Sequence, residues 1–564
     1  MLDAVRKNAS KDTQNNTRRE KGADALLQSL QANGVDTVFG LPGGQLNDFF
    51  DAMQRAGDKI RYVGSRHEQG AAYMAFGYAK STGKVGVYTV VPGPGVLNTA
   101  GAMCSAYANS SPVLCVTGQI PSHAIGKGVG ELHELPDQLA TLRSMTKWSE
   151  RISHPNEVAQ KVHDAFRELK SGRPRPVALE MPPDIMAQTT RVEIGRVYDE
   201  ADARVFDEDL VKQVAKALAA AKKPMIVVGG GAQHASEEIL HLAEIAQAPV
   251  VSFRNGRGVV SDAHYLGQNF AAGYELWKDT DCVIGIGSRM QPYLQEWGID
   301  DDMTLIRIDW DPTEINRIVR ADLGICGDAK TIAGALADEL SKTAGKRASR
   351  EEELFALKAR VAQLLSSVQP QMSYLQVIRD VLPENGILVD EITQVGFASW
   401  NGFPVYNPRS LITCGYQGTL GYGYATALGV KVANPDKPVV AIAGDGGFMF
   451  NVQELATAVQ YGIDMPVIVF NNGRFGNVKR HQTEWYDGRY IGSDLQNPKF
   501  AEMATAFGME SFKANSPESL KPVLQKALAL GGPSLIEVQV DEMSSPWPFI
   551  LRDRVRGVKA RHAI

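Results

Sequence analysis

An aspartate flanked by glycines and a pair of asparagines each follow an apolar segment of the chain. Asp445 lies in VVAIAGDGGF, and Asn471 and Asn472 end MPVIVFNN. Ligands of an open α/β sheet bind at the carboxyl ends of its strands, so these side chains are expected to face one site. Glycine turns let backbone N–H groups approach phosphate, and a following helix N-terminus favours anions. Because carboxylate and amide oxygens suit Mg²⁺, the two turns predict a metal ion that bridges a diphosphate.

Each turn alone has a simpler explanation, since an aspartate can cap a helix and two asparagines can form a turn. Together they resemble the diphosphate-binding signature of thiamine-diphosphate enzymes. The resemblance implies that the metal is held by Asp445, the Asn472 side chain and the backbone oxygen of Arg474. It also implies that further residues contact the cofactor near its diphosphate: Thr393 and Gln394 in DEITQVG, and Gly444, Gly446 and Gly447.

A distant segment, GSRHEQGAAYMAFGYAKSTG (64–83), resembles the part of these enzymes that carries the activating glutamate. The resemblance implies that Glu68 hydrogen-bonds N1′ of the cofactor's aminopyrimidine. Such a bond favours the imino tautomer, which removes the thiazolium C2 proton. The alternative interpretation is an ordinary acid at a helix N-terminus, next to an exposed histidine.

Seven motifs resemble the acetohydroxyacid synthase (acetolactate synthase) branch of this family and cover about residues 22–545. They are VFGLPGG, RHEQGAAYMAFGYA, GPGVLN, TGQIPSHAIG, GTLGYGYATALG, GDGGFMFNVQELATA and WYDGRYIGSDLQNPKFAEMATAFGM. By this resemblance Leu420 is the apolar wedge that bends the cofactor, where methionine is more usual. Gln119 is expected to line the substrate pocket.

Three residues depart from the branch at positions that line its pocket. In NNGRFGNVKRHQTEWYDG, Asn477 replaces a methionine and His481 replaces a tryptophan, whereas Val478 is kept. In GVGELHELPDQ, His133 replaces a glutamine. Either histidine could be purely structural. If both line the pocket, it is more polar than a pocket for branched-chain precursors, and it could hydrogen-bond an oxygen-rich substrate or move protons near neutral pH.

The elements that must position these residues alternate along the whole chain. Short β-branched segments such as DTVFGLPGG, SPVLCVTGQ and KPMIVVGGG end in glycine and are followed by amphipathic segments. This alternation predicts an α/β fold with three doubly wound parallel-sheet domains. We expect a disordered leader over 1–20, a pyrimidine-binding domain over 21–190, a central Rossmann-like domain over 200–345, a diphosphate-binding domain over 355–550 and a C-terminal tail over 551–564.

The ligand of the central domain is left open. GIGSRM, IRIDWDPTEI and CGDAK resemble the flavin-binding version of this domain, but LGQNFAAGYELW departs from the usual flavin-contacting segment. FAD, ADP or no ligand are therefore all possible. An NAD-dependent oxidoreductase built on GGGAQ is disfavoured, because no acid occupies the position that a full dinucleotide fingerprint requires.

Bulk composition excludes several other classes of protein. The chain has 564 residues, a net charge of −5 and a pI near 6.1, which argues against a nucleic-acid partner. Its five cysteines are scattered without a CxxC pair, as in a reduced cytoplasmic protein. No apolar segment is long enough to span a membrane, and the polar N-terminus lacks the pattern of a secretory signal.

The favoured function is acetolactate synthase-type decarboxylation and carboligation of a 2-keto acid. Two alternatives share the same cofactor chemistry: cleavage of a C–C bond in a 1,2-dione or 2-hydroxy ketone, and simple decarboxylation of a 2-keto acid. A catalytically silent scaffold is the alternative of another class, but Glu68, Asp445 and Asn472 are all present. The resemblance further implies a homodimer or homotetramer with active sites shared between subunits.

Overall fold

The computed structural model describes residues 17–199, 206–343 and 345–559. Of the predicted leader, residues 1–16 lie outside this part, as do residues 560–564 of the predicted tail. Within the described residues, no helix combines the length and the apolar character needed to cross a bilayer.

Twenty strands are present in the described residues. They are β1 Thr17–Lys21, β2 Thr37–Gly40, β3 Arg61–Gly64, β4 Gly86–Val90, β5 Val113–Gly118, β6 Trp148–Arg151, β7 Val177–Met181, β8 Thr189–Glu193, β9 Pro224–Val228, β10 Val250–Ser252, β11 Gly267–Asn269, β12 Cys282–Ile286, β13 Thr304–Asp309, β14 Leu323–Cys326, β15 Ile387–Val389, β16 Leu411–Ile412, β17 Val439–Gly444, β18 Pro466–Asn471, β19 Glu510–Ala514 and β20 Ser534–Gln539.

The same residues contain twenty-two α-helices. They are α1 Gly22–Ala32, α2 Asn47–Ala56, α3 Glu68–Thr82, α4 Pro94–Asn98, α5 Ala100–Ala108, α6 Gln138–Met145, α7 Val158–Lys170, α8 Pro183–Ala187, α9 Glu208–Ala220, α10 Ser236–Ala246, α11 Phe270–Trp277, α12 Pro312–Ile315, α13 Ala329–Thr343, α14 Glu351–Leu365, α15 Gln371–Val381, α16 Gln394–Gly402, α17 Tyr422–Ala433, α18 Asp445–Phe448, α19 Glu454–Gln460, α20 Gly476–Trp485, α21 Phe500–Ala506 and α22 Pro517–Leu528.

Eighteen of these strands form three six-stranded parallel sheets, as the sequence predicts. Their strand orders are β3-β2-β4-β5-β7-β6, β11-β10-β9-β12-β13-β14 and β16-β15-β17-β18-β20-β19. α-Helices join most of the successive strands, because parallel neighbours can be joined only by a crossover. The central strands are buried along their length, which is why their segments are continuously apolar instead of alternating.

The chain divides into two compact units. One unit contains the first sheet and adds two short segments from later in the chain, Leu428–Ala433 and Asn451–Tyr461. The other contains the second and third sheets together. The first unit therefore includes helix α19, although the sequence assigns that helix to the diphosphate-binding domain.

The limits of the first domain differ from those predicted. Residues 17–20, assigned to the leader, belong to strand β1, which pairs antiparallel with β8 from Thr17 opposite Glu193 to Lys21 opposite Thr189. The ordered domain therefore begins before residue 21 and continues beyond residue 190. The charged segments TRREK and TTRVE have no apolar alternation, so their pairing left no signal in the sequence.

The described part of the C-terminal tail packs against the second sheet's domain. The backbone N–H groups of Val555 and Arg556 donate to the Trp297 carbonyl, each at 3.0 Å. The Arg556 side chain forms an ion pair with Asp300 at 2.7 Å. The tail is thus part of this domain's surface up to residue 559.

Candidate active site

Asp445 begins helix α18 directly after β17 and is 3% exposed. Its Oδ2 accepts hydrogen bonds from the backbone N–H groups of Gly473 at 2.8 Å and Arg474 at 3.2 Å, and from Asn497 Nδ2 at 2.7 Å. Burial raises the pKa of Asp445, and these hydrogen bonds oppose the shift. Asn497 was not identified from the sequence, although it lies within one of the family-like motifs.

The two asparagines of the NN pair differ in their partners. β17 and β18 are neighbours, with Gly444 opposite Phe470, so Asp445 and Asn471 leave the same sheet edge. Asn471 Nδ2 donates to Glu537 at 3.0 Å, and its Oδ1 accepts from Asn497 Nδ2 at 3.1 Å. In the described residues the Asn472 side chain forms no hydrogen bond, so its amide oxygen is available as a ligand.

These oxygens fit a magnesium ion. No group of three or more His, Cys, Asp or Glu side chains suited to a metal occurs in the described ranges, so a metal here needs amide and backbone oxygens as well as Asp445. On either side of Arg474 the backbone is already paired. The Gly473 carbonyl accepts from the Leu495 N–H, and the Phe475 N–H donates to the Ser493 carbonyl, each at 2.8 Å. Among the same residues, the Arg474 carbonyl accepts no backbone hydrogen bond. One carboxylate oxygen and two neutral oxygens suit Mg²⁺ as ligands when phosphate oxygens occupy its remaining coordination positions.

The predicted diphosphate contacts surround the start of helix α16. Thr393 is its N-cap residue but makes no side-chain capping bond. Gln394 Oε1 is buried and has no hydrogen-bond partner among the described residues. A Cβ added to Gly444 would lie 3.3 Å from the Thr393 Cβ, and one added to Gly446 would overlap the Phe475 ring. A helix N-terminus without a side-chain cap, beside these glycine turns, fits a diphosphate group. Gln394 would contact that group through its Nε2 donor, because amide and phosphate oxygens both only accept hydrogen bonds.

Glu391 holds the loop that carries Leu420. It is 1% exposed, and its carboxylate accepts backbone N–H groups from Ile392 at 3.1 Å, Gly421 at 3.2 Å and Gly423 at 2.9 Å. Burial raises the pKa of Glu391 to about 8. Leu420, the predicted wedge, is partly exposed immediately before Gly421. Glu391 was not identified from the sequence as a site residue.

In the first unit, Glu68 is the first residue of helix α3. His67 caps this helix, because its Nδ1 accepts the backbone N–H of Gln69 at 3.1 Å. Glu68 Oε2 accepts from Asn98 Nδ2 at 3.0 Å, and the Glu68 side chain is 12% exposed. Asn98 ends helix α4 and orients the carboxylate, a role that the sequence did not reveal.

Gln119 belongs to a buried polar network. Its Nε2 donates to Glu180 Oε2 at 3.2 Å, and its Oε1 accepts from the Ile120 N–H at 2.7 Å. Glu180 is fully buried and also accepts from Gln138 Nε2 at 2.9 Å and Arg151 Nε at 2.5 Å. Both ends of the Gln119 amide are therefore fixed by the protein.

His133 lies in the same unit, in the loop before helix α6. It adopts a left-handed backbone conformation with φ of 69°. Its Nδ1 lies 3.1 Å from Gln45 Oε1, and Gln45 Nε2 donates to the Leu132 carbonyl at 2.9 Å. His133 thus has a local structural partner that fixes one edge of the ring.

In the second unit, Asn477, Val478 and His481 lie on helix α20, none of whose residues is buried. Asn477 Oδ1 accepts from Trp547 Nε1 at 2.8 Å and from Arg480 Nη2 at 3.1 Å. His481 follows Asn477 by one helical turn and stacks on Trp485, with ring centroids 4.1 Å apart. Burial, and to a lesser degree Arg480, lowers the pKa of His481, which favours the neutral imidazole.

Sequence models of one family match all three sheet-containing parts of the chain. The N-terminal TPP binding domain of thiamine pyrophosphate enzymes matches residues 20–141, their central domain matches 211–336, and their C-terminal TPP binding domain matches 391–538. Thiamine pyrophosphate is another name for thiamine diphosphate.

Whole-length relatives agree with these matches. A probable acetolactate synthase large subunit of Methanocaldococcus jannaschii is 32% identical over 92% of each chain. An acetolactate synthase of Arthrospira platensis is 34% identical over 96% of this chain and 97% of its own. A probable 2-ketoarginine decarboxylase of Pseudomonas aeruginosa is 32% identical over 91% of this chain and 93% of its own. The resemblance inferred from the residues is confirmed, and the chain belongs to the thiamine pyrophosphate enzyme family.

Proposed function

We propose that this chain decarboxylates a 2-keto acid and joins the acyl unit to a second carbonyl compound, using thiamine diphosphate and Mg²⁺. The observation that carries the proposal is the buried Asp445 carboxylate next to the free Asn472 amide. The acetolactate synthase relatives, which extend over nearly the whole chain, support the carboligation. None of the five cysteines, all of which lie in the described residues, forms a disulfide, which is consistent with a cytoplasmic location.

When bound, thiamine diphosphate supplies a carbon nucleophile that attacks the keto carbonyl and stores the electrons released by decarboxylation. Asp445, the Asn472 side chain and the Arg474 carbonyl would hold Mg²⁺. Thr393, Gln394 and the glycines of the GDGG turn would hold the diphosphate, and Leu420 would support the cofactor's bent form. Val478 would contact the cofactor from helix α20.

Glu68 would share a proton with the aminopyrimidine ring at N1′, and Asn98 keeps its carboxylate oriented for that bond. A hydrogen bond from a carboxylic acid at this atom is the proton relay of the reaction. Gln119, His133, Asn477 and His481 would line the acceptor pocket. Because the Gln119 amide is already bonded at both ends, the polar groups of the other three residues are the ones that favour acceptors or keto acids with additional oxygen or nitrogen atoms.

A second candidate is simple decarboxylation of a functionalised 2-keto acid. The relative named as a 2-ketoarginine decarboxylase is as similar in sequence as several of the synthases. Helix α20 also supports this candidate, because Asn477 and His481 place hydrogen-bonding groups where the synthase pattern has methionine and tryptophan. The two reactions differ only in what bonds to the acyl carbon after decarboxylation. In carboligation it is a carbonyl acceptor, and in simple decarboxylation it is a proton.

Purified protein with added cofactor and Mg²⁺ should release CO₂ from at least one 2-keto acid in a panel that includes pyruvate and 2-ketoarginine. Mass spectrometry then separates the candidates: an acetohydroxyacid supports carboligation, and a free aldehyde supports decarboxylation. Cleavage of a 1,2-dione without release of CO₂ would replace both with a C–C lyase. Glu68→Gln is the control and should lower turnover by about 10²–10⁴-fold. Cofactor binding with no turnover of any substrate would favour a silent scaffold.

FAD in the central domain is a separate proposal. It is supported by the resemblance of the segments that end β12 and β13, where a flavin nucleotide would bind at the carboxyl edge of the sheet. The visible spectrum of the purified protein tests it. Flavin absorption bands would support FAD, and a colourless, fully active protein would reject it.

A further inference from the structure

The loop that precedes Glu68 is held by a buried carboxylate from a distant part of the sequence. Glu454 begins helix α19 and is fully buried. Its Oε1 accepts the backbone N–H groups of Arg66 at 3.2 Å and His67 at 3.1 Å, and its Oε2 accepts Arg66 N–H at 3.2 Å. Thr457 Oγ1 completes the set by donating to Glu454 Oε2 at 2.6 Å. Burial raises the pKa of Glu454, and these hydrogen bonds oppose the shift.

The same segment holds the loop at two further points. The Tyr461 hydroxyl accepts the backbone N–H of Gly64 at 2.8 Å. Gln460 Oε1 accepts from Arg66 Nη2 at 2.8 Å. Every residue from Gly64 to His67 except Ser65 is therefore bound to the segment 454–461, which belongs to the same compact unit as helix α3.

This loop determines where helix α3 begins. His67 is the cap residue, and Glu68 follows it as the first helical residue. Gly70 faces Glu454 across the first turn, and a Cβ there would overlap the Glu454 carboxylate. A carboxylate this close to the helix N-terminus is electrostatically favourable, because it interacts with the positive end of the helix dipole. A shift of the loop would therefore carry Glu68 with it.

We propose that Glu454 is a positioning residue for Glu68: by binding the Arg66 and His67 N–H groups, it sets the position of the Glu68 carboxylate relative to the cofactor ring. The inference rests on the proposed function, in which Glu68 bonds N1′. Glu454 touches neither cofactor nor substrate in this scheme. Its effect on the reaction passes entirely through the backbone of residues 66–68.

A positioning role and a purely structural role differ in one measurable quantity. The rate at which the C2 proton of bound thiamine diphosphate exchanges with deuterated solvent reports on the Glu68 relay and needs no substrate. A small displacement of a catalytic group costs as much as about 10²-fold in rate. A purely structural role would lower the thermal midpoint and leave this exchange rate unchanged.

The test compares wild type, Glu454→Gln, Tyr461→Phe and the control Glu339→Gln, each saturated with thiamine diphosphate and Mg²⁺. Glu454→Gln keeps the side-chain length but turns one acceptor into a donor that faces N–H groups. Tyr461→Phe removes one hydroxyl from the same loop and is the milder variant. Glu339 lies on helix α13 and forms an ion pair with Lys342 at 3.1 Å.

We expect C2 exchange to slow by about tenfold to 10²-fold in Glu454→Gln and by a smaller factor in Tyr461→Phe, with the control at the wild-type rate. Folded variants that bind the cofactor and exchange at the wild-type rate would overturn the inference. If Glu454→Gln does not fold, Tyr461→Phe provides the test: slower exchange supports the inference, and exchange at the wild-type rate overturns it. Absence of exchange in cofactor-loaded wild type would instead overturn the proposed function.

Discussion

Trp547 donates its indole N–H to the side-chain oxygen of Asn477 at 2.8 Å, across 70 residues of sequence. Trp547 also packs against Phe397 in a tilted arrangement, with ring centroids 4.9 Å apart, and its ring centroid lies 5.6 Å from the Arg480 guanidinium. A C-terminal residue thus fixes the amide that replaces a methionine in the synthase pattern. With its oxygen bound by Trp547 and Arg480, Asn477 keeps its NH₂ group as a donor for another partner.

Replacing Trp547 by phenylalanine should change substrate preference more than turnover. The variant loses one hydrogen bond to Asn477, worth about 1 kcal/mol, and frees the amide to rotate. We expect kcat/KM for the preferred keto acid to fall by about fivefold, mainly through KM, while an unfunctionalised keto acid such as pyruvate is affected less. Steady-state kinetics on the two substrates provide the measurement.

A double-mutant cycle shows whether Trp547 acts through Asn477. In an Asn477→Ala background, Trp547→Phe should have little further effect on substrate preference, because the bond is already absent. Additive effects of the two substitutions would contradict the assignment and give Trp547 a separate role in packing.

Asp445→Ala should remove the metal-dependent part of cofactor binding. Thiamine diphosphate with Mg²⁺ should raise the thermal midpoint of wild type, since a ligand at 100 times its Kd stabilises the folded state by about 2.7 kcal/mol. The shift should disappear with a chelator and in Asp445→Ala. The matched control Asp487→Asn changes an acid whose side chain is 88% exposed and forms an ion pair with Arg489. An undiminished shift in Asp445→Ala would refute the metal assignment.

The sequence was sufficient to predict the residues at strand ends but not the groups that hold them. Asp445, Asn472 and Thr393 follow apolar strands, so a parallel-sheet prediction places them at one edge. Glu391 and Glu454 bind backbone N–H groups of distant loops, and such bonds leave no periodic or compositional pattern. The role of Trp547 was hidden for the same reason, because it depends on how the C-terminal segment packs.

Gly70→Ala should slow C2-proton exchange as Glu454→Gln does, because it disturbs the same contact between Gly70 and Glu454. The added methyl group would displace the Glu454 carboxylate and with it the cap of helix α3. We expect slower C2-proton exchange by about tenfold or more, although alanine is intrinsically the better helix former by about 1 kcal/mol.

The control for this substitution is Gly334→Ala in helix α13. There the nearest atom to an added Cβ is the Glu238 Cγ at 3.7 Å, an ordinary contact. Gly334→Ala should leave exchange unchanged and raise the thermal midpoint slightly. If Gly70→Ala behaves like this control, the first turn of α3 tolerates a methyl group and the close approach of Glu454 is not required.

The last prediction concerns assembly. Glu68 and Asp445 belong to different compact units, yet both must reach one cofactor, and the family resemblance implies that they come from different subunits. We therefore expect at least a two-fold symmetric homodimer. Glu68→Gln and Asp445→Ala should each be inactive alone. In a mixed dimer, one site carries both substitutions and the other carries neither, so activity should return.

Statistical mixing sets the size of the recovery. Equal amounts of the two variants form mixed dimers in about half of all pairs, each with one intact site, so recovery should approach about one quarter of wild-type activity. Differently tagged subunits and two-step affinity purification verify the exchange. A control mixture of Glu68→Gln with itself should stay inactive. If exchange is complete and the mixture of the two variants also stays inactive, each chain builds its own site and the shared arrangement is wrong.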